Sequence, residues 1–157
     1  MTLFNIRDLN AKLRTGQRLI GIDPGQKIVG LALSDVMRMV ASPYGALKRG
    51  KLSVMAREIG QIAREQEVGA LVVGLPLSMD GGFGPAAQAA RDWAMALSEQ
   101  TGLPTSLCDE RLSSSAVNRA IIQEGDLSRK RRENLVDKLA ATYMLQGFLD
   151  TLATQGD

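Results

Sequence analysis

The chain has 157 residues, 45% of them hydrophobic and only 4% aromatic, which suits one compact domain with a largely aliphatic core. It contains no histidine and a single cysteine, Cys108, which excludes Ser-His-Asp and Cys-His catalysis, zinc sites built on those residues and an internal disulfide. A net charge of +2 gives no global pull on nucleic acid, and neither a bilayer-length apolar run nor a signal-peptide block is present, so a cytoplasmic protein without membrane contact is expected.

In chain order, Ile6, Leu9 and Leu13 are helix-spaced and predict a short lead-in helix over 5–14, stopped by Gly16. Arg18–Asp23 is an apolar strand that closes on an acid, followed by a Pro24-Gly25 turn and a second strand, Ile28–Ser34, which together predict a hairpin. A third strand is expected over Met39–Leu47, with Pro43 and Gly45 marking it as an edge. Leu52, Met55, Ile59 and Ile62 predict an amphipathic helix over 51–66. Ala70–Gly74 reads as a buried strand, and the loop 75–84 leads to a helix carrying Ala86, Ala90, Trp93 and Leu97. Gly102 stops that helix and Leu103–Cys108 supplies another strand. Ser113 or Ser114 caps a predicted helix through Ile121, and a last helix runs from about Glu133 to Leu152. A hairpin or meander followed by alternating helices and strands is an α/β pattern with parallel crossovers. Residues 1–157 are read as a single domain in which 1–17 is a lead-in segment.

Without histidine, a hydrolase of this composition must rely on Asp, Glu, Lys or Ser, and carboxylates suit hard cations such as Mg2+ or Mn2+. Asp23 sits where the carboxyl end of a strand meets a glycine turn; it either caps the turn or holds a metal. Asp109 and Glu110 follow a strand and, on strand geometry, point to opposite faces, so at most one of them joins Asp23. Asp137 shares a helix face with Ala140, Ala141, Met144 and Phe148. A carboxylate beside an apolar stripe needs a partner, either an arginine or a metal shared with other acids. Glu110 alone reads as readily as a polar loop before a capped helix; together Asp23, one acid of the Asp109-Glu110 pair and Asp137 are a candidate cluster for two-metal phosphodiester hydrolysis. Basic residues concentrate in Arg129-Lys130-Arg131-Arg132, with a smaller run at Lys48, Arg49 and Lys51; both are either solvated or phosphate-docking. Arg111 either contacts substrate or pairs with Asp109, and Lys138 either reaches a phosphate or faces solvent. Trp93 reads as core, and the loop 74–84 as either a plain connection or a phosphate-binding approach to a helix.

Four segments carry a resemblance. Gly21–Asp35, Val73–Gly81, Asp109–Ser113 and Val136–Ala141 resemble, in order, the four motifs of the YqgF nuclease family, and together they extend over most of the chain. The resemblance implies a ribonuclease H-like fold with a mixed five-stranded sheet flanked by helices, related to RuvC-type junction resolvases. It implies a divalent-metal nuclease whose catalytic and metal-binding acids fall on Asp23, Glu110 and Asp137. Lys27, Arg111, Arg129, Lys130, Arg131, Arg132 and Lys138 are the expected nucleic-acid contacts. Where family members often have arginine after Lys27, this chain has Ile28, one positive charge fewer. The implied activity is 5′-end processing of pre-16S ribosomal RNA, with ribosomal particles as possible partners and a monomer or weak homodimer as the assembly. The rival is a Holliday junction resolvase, for which symmetric cutting calls for a dimer. An RNA-binding assembly factor without catalysis and an ATP-binding protein of the actin and sugar-kinase type are further alternatives, the last disfavoured because it needs two lobes.

Overall fold

The computed structural model describes residues 3–76, 82, 84–109 and 129–155; within the last helix, side chains are described for 139–154. The elements are α1 (Ile6–Lys12), β1 (Arg18–Pro24), β2 (Ile28–Ser34), β3 (Ala41–Lys48), α2 (Leu52–Glu65), β4 (Val68–Leu75), α3 (Pro85–Thr101), β5 (Thr105–Asp109) and α4 (Arg129–Gln155). The helix expected after Ser113 lies outside the described residues.

The five strands form one mixed sheet in the order β3-β2-β1-β4-β5. β1, β2 and β3 make an antiparallel meander, whereas β4 and β5 continue from β1 in parallel. The sheet is that which the family resemblance implies. Its centre is β1, whose residues alternate between two apolar layers. Ile20 and Ile22 face α2 and α3, meeting Met55, Ile59 and Leu97; Leu19 faces α1 and α4, meeting Leu9, Leu145 and Leu149.

Local chemistry explains most boundaries. Leu52, Met55, Ile59 and Ile62 recur at helical spacing, and α2 buries that stripe. α3 opens with Pro85 in its first turn and closes on Gly102 at φ 72, the left-handed conformation that a C-terminal glycine adopts without strain. The Gly102 N–H bonds back to Ser98 O at 2.9 Å. β3 begins at Ala41 rather than Met39, because Asp35 Oδ1 accepts hydrogen bonds from Met39 N and Val40 N and holds them in a turn. α4 is longer than the apolar periodicity suggests, with 27 residues and the basic run in its first turn. The lead-in segment is part of the sheet layer, since Phe4 N donates to Thr105 O at 2.8 Å along the outer edge of β5. Among the described residues no helix is long and apolar enough to cross a membrane.

Candidate active site

β1, β4 and β5 run in parallel, so their carboxyl ends share one edge of the sheet. Asp23 pairs with Gly30 of β2 in the last turnward stretch of β1. Ile22 is level with Val73, and Gly74 is level with Cys108, which puts Asp23 and the end of β5 at the same height. Asp109 is the last residue of β5.

Faces follow from alternation. Leu19 packs in the α4 layer and Ile20 and Ile22 in the other, so Asp23 shares the α4 side with Leu19 and Gly21. In β5, Cys108 belongs to the α4 layer and its Sγ lies 3.8 Å from Met144 O, whereas Leu107 packs on the opposite layer. Asp109 therefore has the parity of Leu107, away from Asp23, and Glu110 is two positions on from Cys108 in sequence.

α4 crosses this face antiparallel to β1. At its lower end the Gln146 amide is bonded to the start of β3: Ala41 N donates to Oε1 at 2.8 Å, and Nε2 donates to Met39 O at 3.0 Å. Further up, Leu145 and Ala141 press on Gly21, where a Cβ would stand 2.8 Å from Leu145 Cβ and 3.2 Å from Ala141 O. Residue 137 is one helical turn beyond Ala141, an advance of about 6 Å. Asp23 is two strand residues beyond Gly21, an advance of about 6.6 Å. The helix backbone thus brings position 137 level with Asp23, on the face Asp23 occupies.

The carboxylate of Asp23 is half-buried, and among the described residues it accepts no hydrogen bond and makes no ion pair. The turn that follows is closed by backbone instead, with Gly25 N donating to Asp23 O at 3.0 Å. Asp35 is the contrast. It also follows a strand, yet its Oδ1 takes the N–H groups of Met39 and Val40 at 2.7 and 2.9 Å, and these bonds hold its carboxyl below the usual aspartate range. Asp35 caps a turn; Asp23 does not, which removes the turn-capping explanation for it.

Lys27 is exposed in the β1–β2 turn. Arg129, Lys130, Arg131, Arg132, Asp137 and Lys138 lie in α4, where their side chains are not described. Glu110 and Arg111 lie outside the described residues, as does Asp80. Among the described residues no three Asp, Glu, Cys or His side chains come together. Trp93 packs against the core, as its position on the stripe predicts, and the guanidinium of Arg49 lies over its ring, 5.5 Å from the centroid. Arg49 also ties β3 to the Asp23 turn: its N donates to Lys27 O at 2.9 Å and its Nη1 to Gly25 O at 3.0 Å. Sequence reading noted Arg49 only as part of a basic run. Its role depends on the β2–β3 register, which local pattern does not specify.

Residues 17–151 match the family model described as RuvX: Holliday junction resolvase. A protein of Gluconacetobacter diazotrophicus named "Putative pre-16S rRNA nuclease" is 67% identical over 153 residues, covering 98% of this chain and 99% of the relative. One from Gluconobacter oxydans with the same name is 61% identical over 150 residues, covering 96% and 94%. Among solved structures, Thermus thermophilus RuvC in complex with a Holliday junction substrate superposes with a TM-score of 0.52 at 16% identity, covering 88% of this chain and 97% of that one. At that identity the likeness is one of fold, and the fold is ribonuclease H-like.

Proposed function

Because this chain belongs to the RuvX family, we propose that it is a metal-dependent nuclease that hydrolyses phosphodiester bonds in structured RNA, with Asp23, Glu110 and Asp137 as its catalytic carboxylates. The observation that carries the site is Asp23: a half-buried carboxylate on the active face, unused by the turn it precedes, level with the helix position of Asp137. The parity of β5 favours Glu110 over Asp109 as the third acid.

The donor set fits a hard divalent cation, Mg2+ or Mn2+. The proposed ligands are all carboxylates, histidine is absent from the chain and the one cysteine turns into the α4 layer. Asp23, Glu110 and Asp137 would hold the metal, which when bound supplies Lewis acidity and an activated water. The chain's own part is to fix where the scissile phosphate sits. Asp23 is held by the paired end of β1, and the backbone at position 137 by a helix seated on Gly21, so the spacing of the two positions depends on how α4 is seated. Arg49 steadies the intervening turn through Gly25 and Lys27. Lys27, Arg111, the run Arg129–Arg132 and Lys138 are the proposed phosphate contacts, positively charged groups around an acidic centre.

The names of the relatives support pre-16S ribosomal RNA as the substrate; cutting at its 5′ end, in the cytoplasm and on ribosomal particles, is proposed along with it. The family's description and the RuvC likeness favour a second reading, a Holliday junction resolvase with the same chemistry. Cleavage of end-labelled precursor RNA and of a four-way DNA junction, each with Mg2+, Mn2+ or chelator, separates the two. Asp23→Asn and Asp137→Asn should each lower metal-dependent cleavage by at least about a hundredfold, since even outer-shell partners of metal ligands cost roughly 10–100-fold. Asp109→Asn should retain the metal titration. Paired symmetric cuts in the junction with intact RNA would assign the resolvase, and full activity in Asp137→Asn would reject the carboxylate set.

A further inference from the structure

Between Asp23 and Glu58 the only carboxylate in the sequence is Asp35, while the same stretch supplies six cations: Arg38 in the Asp35 turn, Arg57 within α2, and Lys27, Lys48, Arg49 and Lys51. Asp35 lies at the opposite end of the sheet, just beyond Ser34, the β2 residue that pairs with the start of β3. Lys27, Lys48, Arg49 and Lys51 gather at the end that carries Asp23. Lys48 is the register partner of Ile28, next to Lys27, and Arg49 N is bonded to Lys27 O. Lys51 follows two residues later, immediately before α2. All four are exposed, and among the described residues none makes an ion pair.

The strand register sets their relation to the active face. Ile28 has the parity of Gly30, and Gly30 is the partner of Asp23, so Lys48 stands on the same side of the sheet as Asp23. It is two strands across and two residues further toward the edge. At strand spacings of about 4.8 Å and a rise of about 3.3 Å per residue, its Cα is on the order of 12 Å from that of Asp23. A nucleic-acid strand advances about 3.4 Å per nucleotide along a duplex axis, so Lys48 is a few nucleotides from a phosphate bound at Asp23. Arg49 has the opposite parity and is spent otherwise, on Gly25 O and the Trp93 ring. It anchors the strip, which leaves the lysines free for an external anion.

We propose that Lys48 and Lys51, continuing from Lys27, form a phosphodiester-backbone track along the β3 edge of the sheet, a second binding strip that carries the substrate past Asp23 on the side of the meander. The track rests on the nuclease reading above and extends it to the path of the substrate. Clustered unpaired cations repel one another, and a phosphate backbone is the partner that offsets this while a metal site of acids stays close by.

The test is Lys48→Gln/Lys51→Gln in the full chain, with fluorescence anisotropy of a labelled stem-loop RNA and a labelled four-way DNA junction, in chelator so that nothing is cut. Binding is followed as a function of salt. Each lost phosphate contact should reduce the slope of log K against log[salt] by about 0.7 to 0.9, so the double variant should lose about 1.4 to 1.8. Circular dichroism and the thermal midpoint should not move, because both side chains are exposed. A reduced slope on both probes assigns a track for the shared phosphate backbone, and a reduced slope on the RNA alone makes it an RNA track. Wild-type binding with an unchanged slope in the variant overturns the track and leaves the nuclease reading intact. Wild-type protein that binds neither probe at any salt overturns both.

Discussion

Gly21 and Leu145 meet where the last helix lies directly on the central strand: a Cβ at Gly21 would stand 2.8 Å from Leu145 Cβ, with the Ala141 carbonyl oxygen at 3.2 Å. This approach, possible only because position 21 has no side chain, sets the height at which α4 crosses β1 and with it the level of residue 137 against Asp23.

Gly21→Ala should therefore act on both stability and cleavage. One neighbour in the contact is backbone, so the added methyl must push α4 away instead of displacing a side-chain tip. Over-packing of this kind costs about 1–3 kcal/mol. In a chain of this size each kcal/mol lowers the melting temperature by roughly 2–4 °C. A displacement near 1 Å at a catalytic group can cost about a hundredfold in rate. Urea unfolding and single-turnover cleavage in the same preparation check both parts. A variant with unchanged stability would show that α4 does not rest on Gly21.

The β1–β2–β3 meander, the two crossover helices and the aliphatic core were legible because each rests on local signals: alternation closing on Pro24-Gly25, helical spacing from Leu52 to Ile62, and Gly102 ending α3. The start of β3 was misjudged because Met39 and Val40 are apolar and read as strand, whereas the Asp35 carboxylate takes their N–H groups first. α4 was read too short because its opening turn is polar and carries no apolar period to detect. Asp23 was recognisable as a candidate, but only the hydrogen bonds separate it from Asp35, a second strand-end aspartate with a different use. Arg49 could not be singled out, since its contacts with Gly25 and Trp93 join elements far apart in sequence.

Asp35 gives a pH-dependent prediction. Hydrogen bonds from Val40 N and then Met39 N lower its pKa below 3.8. A carboxyl depressed in the folded state contributes stability that is present above its unfolded value and is lost as pH falls through the folded one. Asp35→Ala should thus destabilise the protein at neutral pH by about 1 kcal/mol, the charge-assisted bonds being discounted for an open position. The difference from wild type should shrink below about pH 3.8. Chemical unfolding at a series of pH values reads this directly. Cleavage at neutral pH should stay close to wild type, because this turn is at the far end of the sheet from Asp23. A difference that stayed constant into acid would mean that the charge contributes nothing and only the shape of the turn matters.

Gln146 tests whether α4 is positioned from one end or along its length. Its amide accepts from Ala41 N and donates to Met39 O, bonding the helix to the start of β3. Gln146→Leu keeps the bulk but strands both backbone groups, at a cost of about 1–3 kcal/mol where they are shielded from water. Position 146 is nine residues from 137, about 13 Å along the helix. The Gly21 contact lies between the two, so it should hold the upper half of α4 in place when the lower anchor is lost. The expected result is a clear loss of stability with a cleavage rate within a few fold of wild type, the reverse weighting of Gly21→Ala. Because Leu145, which meets Gly21, adjoins Gln146, the double variant Gly21→Ala/Gln146→Leu should depart from additivity in stability by at least about 0.5 kcal/mol. A large rate loss in Gln146→Leu alone would place the positioning of Asp137 at the β3 end of the helix and not at Gly21.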